Sequence, residues 1–242
     1  MKNIVLIVVF ILTAKLLAQS GSVTYQKEID TPFYLTNKGM SLKSKNPDAY
    51  AKFEKIEKQK ELSMEQLRYT LRFSKEKSLF LNEDLMKKDG DNYLELALGP
   101  YSGKYYMELL EKKGVWQMTA FNEEFLIALR AIEWTITDEQ KEIMGYTCYR
   151  AYSNQSNLAE DDFDDFFVEA WFTPEIPISS GPLGYGNLPG LILDLKLRNE
   201  HYFATKIKYS PVELTAISKP TTGKKIKFSE LNTYANKLVP DN

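Results

Sequence analysis

Residues 66–74 read Gln66-Leu67-Arg68-Tyr69-Thr70-Leu71-Arg72-Phe73-Ser74. Leu67, Tyr69, Leu71 and Phe73 alternate with polar neighbours, and a period of two puts them on one face of an extended chain. Ser74-Lys75-Glu76 follows, and a second short strand over residues 77–81 then makes the stretch a hairpin. The same period recurs along the chain. Residues 22–29 alternate, with Val23, Tyr25 and Lys27 on one side. Further strands are predicted at 104–110, 115–121, 125–130, 133–136, 146–152, 166–172, 191–197 and 202–209, the last two joined through Arg198-Asn199-Glu200-His201. Strands this frequent, with short polar connections and no interleaved helices, imply antiparallel pairing. A mixed-sheet α/β fold would need long crossover helices, for which there is no candidate.

One helix interrupts the strands. Asn46 is a good N-cap and Pro47 suits the first helical position. Ala49, Phe53 and Ile56 follow at helical spacing and define an apolar face, and Glu54 and Lys58 stand one turn apart. The helix is predicted at about 48–61. Residues 31–46 are turn-rich and without periodicity, and 219–242 start basic and have room for a last short strand or helix. The expected fold is mainly β, with α+β as the alternative: a large curved antiparallel sheet or half-barrel with one helix against it. Several strands are apolar on both faces, which keeps a closed barrel or a sandwich open.

The amino terminus sets the expected compartment. Met1-Lys2-Asn3 is a short positive start, residues 4–14 are uncharged and dominated by Ile, Leu, Val and Phe, and Ala18 offers a cleavage site. This is the pattern of a secretory signal over residues 1–18. Lys15 cuts the run well short of the roughly 20 apolar residues that a membrane-spanning helix needs. The expectation is an exported product, periplasmic or extracellular, with outer-membrane association open and no stable membrane span after signal removal. Residues 19–242 read as one β-rich domain. Thirty-one basic residues against 33 acidic ones give no basic footprint for nucleic acid. The single cysteine, Cys148, allows no intramolecular disulfide, so the core alone must hold the fold. Fifteen tyrosines and thirteen phenylalanines suit pleated, half-buried surfaces.

Residues 174–195, PEIPISSGPLGYGNLPGLILDL, carry Gly181, Gly184, Gly186 and Gly190 with Pro182 and Pro189 among them. Glycine reaches backbone conformations that other residues avoid and proline fixes its own, so this loop is shaped. Leu191-Ile192-Leu193 then enters a strand. Here the sequence resembles the GLPGLI family of exported bacterial proteins. The name motif stands as Asn187-Leu188-Pro189-Gly190-Leu191-Ile192, with asparagine, the non-glycine residue most at ease in a left-handed conformation, at the first glycine position. Glu133-Trp134-Thr135-Ile136, Gly145-Tyr146-Thr147-Cys148, Ala151, the run 170–177 with Trp171 and Glu175, and Gly181-Pro182 extend the resemblance over residues 132–197. The resemblance implies export and no established activity or catalytic residue. Some members are similar to a bowl-shaped accessory domain at the amino terminus of a bacterial glycan-removing enzyme, which implies an antiparallel β fold and a binding or accessory role.

The residues offer little catalytic chemistry. Gly184-x-Gly186 lacks the following glycine and the helix that a dinucleotide fingerprint requires, since Pro189 stands there and the chain runs into a strand. The acidic run Glu160-Asp161-Asp162 with Asp164-Asp165 lacks the spacing of a calcium loop and reads as a solvated loop. His201, the only histidine, reads as an exposed hairpin residue and Cys148 as a small buried strand residue, with no nucleophile motif around either. No metal and no cofactor is expected. Trp116, Trp134 and Trp171 read as core, with stacking on a sugar or peptide as the other use. The expectation is a non-enzymatic binding or accessory module that offers Trp171, Glu175, Tyr185 and Asn187, on or beside the shaped loop, to an envelope protein, peptide or glycan. Trp134, Gly145, Tyr146, Gly181, Pro182, Leu188, Pro189, Gly190, Leu191 and Ile192 are expected to be structural. A hydrolase of envelope or extracellular polymers would instead need a deep cleft, and a carrier of an apolar ligand an unfilled cavity.

Overall fold

In the computed structural model, residues 20–83, 92–158, 167–209 and 217–231 are described. The signal-like residues 1–18 and the acidic run 160–165 lie outside them. Twelve strands form one sheet in the order β12-β6-β5-β4-β3-β2-β1-β11-β10-β9-β8-β7. In chain order they are β1 (Gly21–Ile29), β2 (Tyr69–Phe73), β3 (Lys77–Asn82), β4 (Lys104–Glu108), β5 (Lys113–Ala120), β6 (Glu123–Arg130), β7 (Thr135–Ile143), β8 (Tyr146–Ser153), β9 (Val168–Thr173), β10 (Leu191–Leu197), β11 (Glu200–Tyr209) and β12 (Lys224–Lys225). Every pairing is antiparallel except that of the two-residue β12, which runs parallel to β6 and makes the sheet mixed. Between β7 and β8, Met144 and Gly145 both have positive φ, the two-residue turn that matches strand twist.

β1 lies in the middle of this order, between β2 and β11. From β2 the chain meanders outward to β6, then jumps to the opposite edge at β7 and meanders back to β11. The jump uses only residues 131–134. Five Cα steps reach at most about 18 Å. Eleven strands laid flat, from β6 to β7, would put their outer axes about 48 Å apart. The sheet therefore curls until its two edges approach, and Ile132 of the link is buried. The edges do not join: β6 and β7 share no ladder, and the sheet is open.

The concave face holds the core. Tyr25, Tyr69, Phe80, Tyr105, Trp116 and Tyr202 line it, with Tyr69 stacked on Phe80 at 5.5 Å and Tyr105 on Trp116 at 5.1 Å. Lys27 is buried beside them. Its Nζ donates to Glu200 Oε1 at 3.1 Å and to the Leu98 carbonyl at 3.0 Å, while the Tyr202 hydroxyl donates to Glu200 Oε2. Burial pulls the Lys27 ammonium below its usual range and Glu200 offsets part of that.

Among the described residues there are three α-helices, α1 (Asn37–Lys45), α2 (Pro47–Met64) and α3 (Asn92–Leu98), where one was expected. α1 starts at Thr36, whose hydroxyl accepts from Gly39 N. The Asn46 cap of α2 forms as expected, its Oδ1 accepting from Ala49 N at 3.0 Å. The inward face of α2 is not the expected one. Tyr50, Ser63 and Met64 are buried, whereas Phe53 and Ile56 are 51% and 39% exposed. Leu94 and Ala97 of α3 are buried in the same core.

Two buried tyrosines separate the value of a made hydrogen bond from that of an unmade one. Tyr25 donates to the Ile192 carbonyl at 2.6 Å, and the Tyr69 hydroxyl has no partner among the described residues. Tyr25→Phe should lower unfolding stability by about 1 kcal/mol, whereas Tyr69→Phe should be neutral or stabilising. Urea midpoints of the two variants check this.

Candidate functional site

The glycine- and proline-rich loop between β9 and β10 is interior. Gly181, Pro182, Leu183, Gly184, Tyr185, Gly186, Leu188 and Gly190 are all buried, and Tyr185 is 2% exposed. The loop lies in the gap left by the curled sheet and is bonded to both sides of it. Trp134 Nε1 donates to the Gly186 carbonyl at 2.8 Å, and Asn187 Nδ2 to the Ile132 carbonyl at 3.0 Å, so the edge-to-edge link is pinned to the loop. Asn157 Nδ2 donates to the Leu183 carbonyl at 2.9 Å, and Ser180 Oγ to Ser78 Oγ on β3 at 2.7 Å. Within the loop, Ser180 bridges to Gly186 and also accepts from Ile192 N.

Local sequence explains this shape. Asn187 has φ 67°, the left-handed conformation open to asparagine. A Cβ on Gly190 would stand 2.1 Å from the Thr173 carbonyl oxygen, so no side chain fits there. At the start of β10 a bulge between Ile192 and Asp194 lets Leu191, Ile192 and Leu193 all be buried in succession.

The filled concavity leaves little space. A cavity of about 20 Å³ lies among Tyr105, Trp116, Leu183 and Tyr185, and one of about 10 Å³ beside Met107 and Gly184. About 10–15 Å³ holds a single water, so neither admits an apolar ligand or a polymer.

The outer face of β7–β11 carries the polar chemistry. Trp171 alternates with the buried Ala170 and Phe172, which turns its half-buried ring outward. Lys141 Nζ lies 4.3 Å from the ring centroid and donates to Asp194 Oδ2 at 2.7 Å. Trp171 Nε1 donates to Glu169 Oε1, and Arg150 bridges Glu169 and Glu139. His201 belongs to strand β11, because the turn is only Arg198-Asn199. Its side chain is 13% exposed, with Nδ1 2.8 Å from Glu28 Oε1 and Nε2 2.9 Å from Asp194 Oδ1. Burial pulls the imidazole pKa down, but the Asp194 and Glu28 carboxylates carry it above its ordinary value. The Asp194 carboxyl is pushed up by burial and brought below its ordinary value by bonds from His201 and Lys141. Glu28, Asp30 and His201 each offer one metal-ligating atom, all within 4.8 Å of one another.

A family model described as "Protein of unknown function (Porph_ging)" matches residues 153–194, the span that holds β9 and the buried loop. No curated protein matches the sequence. Two structures of PNGF-II, from P21 and C2 crystals, share the fold, each with a TM-score of 0.50, at 16% and 14% identity. The similarity covers 90% of this chain and 32% of PNGF-II, so the chain spans about a third of that protein's length. At such identity the likeness concerns the fold.

The four residues expected to bind a partner are therefore dispersed. Tyr185 is sealed inside with its ring edge-on to Trp134 at 6.3 Å, and the half-buried Asn187 is engaged with the link. Glu175 is exposed, its Oε1 accepting from Thr147 N at 3.0 Å, and Trp171 belongs to the outer face. Cys148 is fully buried in β8. His201 and its carboxylates were missed because the residues that meet, such as Glu28 and His201, are 173 apart in sequence.

Gly190→Ala should destabilise by about 3 kcal/mol, as a steric clash with backbone requires. Asn187→Gly should lose only the side-chain bond, about 1 kcal/mol, because glycine keeps the turn. Chemical unfolding of both variants tests this order. Burial pushes the Cys148 thiol up to about 11. The native protein should thus resist a thiol reagent at pH 8 and react once per chain after unfolding, as intact-mass measurement would register.

Proposed function

We propose that this protein is an exported, non-enzymatic binding or accessory module of the GLPGLI type, which meets its partner on the outer face around Trp171. The observation that carries this reading is the filled concavity. The loop with the family signature spends its conformation on closing the gap between the sheet edges, and the cavities beside it hold about one water each. A polymer-cleaving enzyme or a carrier would need space there, so partner contact falls to the outside. On that outside, Trp171 is a half-buried aromatic ring with the Lys141 ammonium over it, beside Arg150, Glu169 and Asp194. A flat ring among hydrogen-bonding charges suits a sugar or a peptide backbone. The resemblance of the GLPGLI family to an accessory domain of a glycan-removing enzyme makes glycans the first ligands to try. Export rests on the signal-like residues 1–18, and the periplasm or the extracellular space is the proposed location.

The test is binding of the tag-free protein to immobilised bacterial-envelope and protein-linked glycans, followed by crosslinking in the native envelope. Trp171→Ala should cut capture at least tenfold without moving the unfolding midpoint. Unchanged capture by that variant would remove the Trp171 face as the contact surface. Release of sugar from any glycan would overturn the non-enzymatic reading.

A further inference from the structure

We infer that Glu28, Asp30 and His201 form a surface site for a divalent transition-metal ion of the zinc type. Glu28 and His201 are direct cross-strand partners on β1 and β11. Asp30 follows Glu28 by two residues, just beyond the end of β1, and its backbone N–H is tied to the Asn199 carbonyl at 3.1 Å. Two of the three donors thus stand on adjacent paired strands and the third on a braced strand end, a rigid footing for a small constellation.

The histidine is oriented as metal-bound histidines are. Nε2 faces Asp194, a largely buried carboxylate held from its other oxygen by Lys141 at 2.7 Å. That leaves Nδ1 as the nitrogen turned toward Glu28, 2.8 Å away. A carboxylate behind the distal nitrogen fixes the ring and raises its basicity as a ligand. Without metal, Nδ1–H donates to Glu28. On binding, Nδ1 releases that proton to solvent and gives its lone pair to the ion, while Nε2–H stays on Asp194. Glu28 and Asp30 each contribute a carboxylate oxygen.

The donor set is one imidazole nitrogen and two carboxylate oxygens, which zinc accepts and which leaves a coordination position for water or a partner's group. Ligand atoms around zinc stand about 3.4 Å apart in tetrahedral geometry. The present atoms lie within 4.8 Å of one another, and the exposed Glu28 and Asp30 side chains close the difference by rotation. Lys196 is the competitor, since its Nζ is 3.1 Å from Asp30 Oδ1 and must let go when the ion binds. The selectivity follows from the imidazole: calcium prefers an all-oxygen shell and should not compete. Asp194 and Lys141 also border Trp171, so zinc binding is measured with no glycan or peptide present.

Zinc chloride titrated into the tag-free protein, followed by NMR of the imidazole, tests the inference directly. His201 is the only histidine, so one set of ring resonances reports the site. One equivalent of Zn²⁺ should shift that set, with calcium without effect at the same concentration. Glu28→Gln should weaken the shift-detected affinity at least tenfold, and Asp194→Asn, a positioning change, by about 10–100-fold. Lys196→Met should leave binding intact or strengthen it. Because Asp194→Asn could disturb the sheet, calorimetric zinc binding to His201→Gln is measured alongside, and this should be lost with the unfolding midpoint preserved. Undisturbed His201 resonances at excess zinc would overturn the site. So would zinc affinity equal to the unaltered protein's in both Glu28→Gln and His201→Gln.

Discussion

Residues 131–134 are the constraint on which the rest of the structure depends. A link this short between strands at opposite ends of a sheet cannot exist unless the sheet bends back on itself. Once it bends, the concave side must be filled, because apolar strands facing an empty bowl would lose the contacts that hold them. The chain fills it from two directions. Met64 of α2 and Leu67 just after it, with Leu94 and Ala97 of α3, cover one part of the core, and the loop between β9 and β10 occupies the gap between the edges. The glycine- and proline-rich loop is therefore a closure of the sheet. Its asparagine, prolines and glycines give a backbone narrow enough to pass between packed strands while presenting its own carbonyls to Trp134 and Asn157.

Much of this was legible in the sequence where the signal is local. The alternation of Leu67, Tyr69, Leu71 and Phe73 announced β2 because one face of that strand is buried and the other is wet. The cap at Asn46 announced α2 because capping chemistry is set by adjacent residues. α1 was not legible: Asn37–Lys45 is mostly exposed and so shows no apolar period. β7 was read too short for a related reason. An edge strand with both faces largely wet, Thr135–Ile143, has no buried residue to pattern it. Phe53 and Ile56 misled in the opposite sense. Their spacing is helical, but the inward direction of α2 is set by what it lands on, and Tyr50 and Met64 face the core instead.

The candidate site was less legible than the fold. That the loop is shaped could be read from glycine and proline; whether it faces inward depends on the meeting of two sheet edges, which no window of sequence contains. Trp171 could be named but not oriented, since its exposure follows from the pairing of β9 with β8 and β10. Sequence alone puts His201 in a hairpin turn; the two-residue turn at Arg198-Asn199 and the register of β11 on β1 bring it between Glu28 and Asp194.

The central position of β1 has a consequence in time. A ribosome delivers β1 before the strands it pairs with, and its partner in β11 follows only after a long interval: Glu28 and His201, which face each other, are 173 residues apart. β2 can pair early, along with the meander that follows it, but until β11 is made the opposite edge of β1 offers unpaired amide groups to any neighbouring strand. Closing so long a loop is slow, because its entropy is spent before the contacts between β1 and β11 form. A half-sheet β1–β6 formed ahead of β10 and β11 would carry that open edge, and it would lack the Tyr25–Ile192 and Lys27–Glu200 contacts, which need β10 and β11 in place. A holding factor that shields one strand edge would suit this protein better than one that shields apolar surface alone.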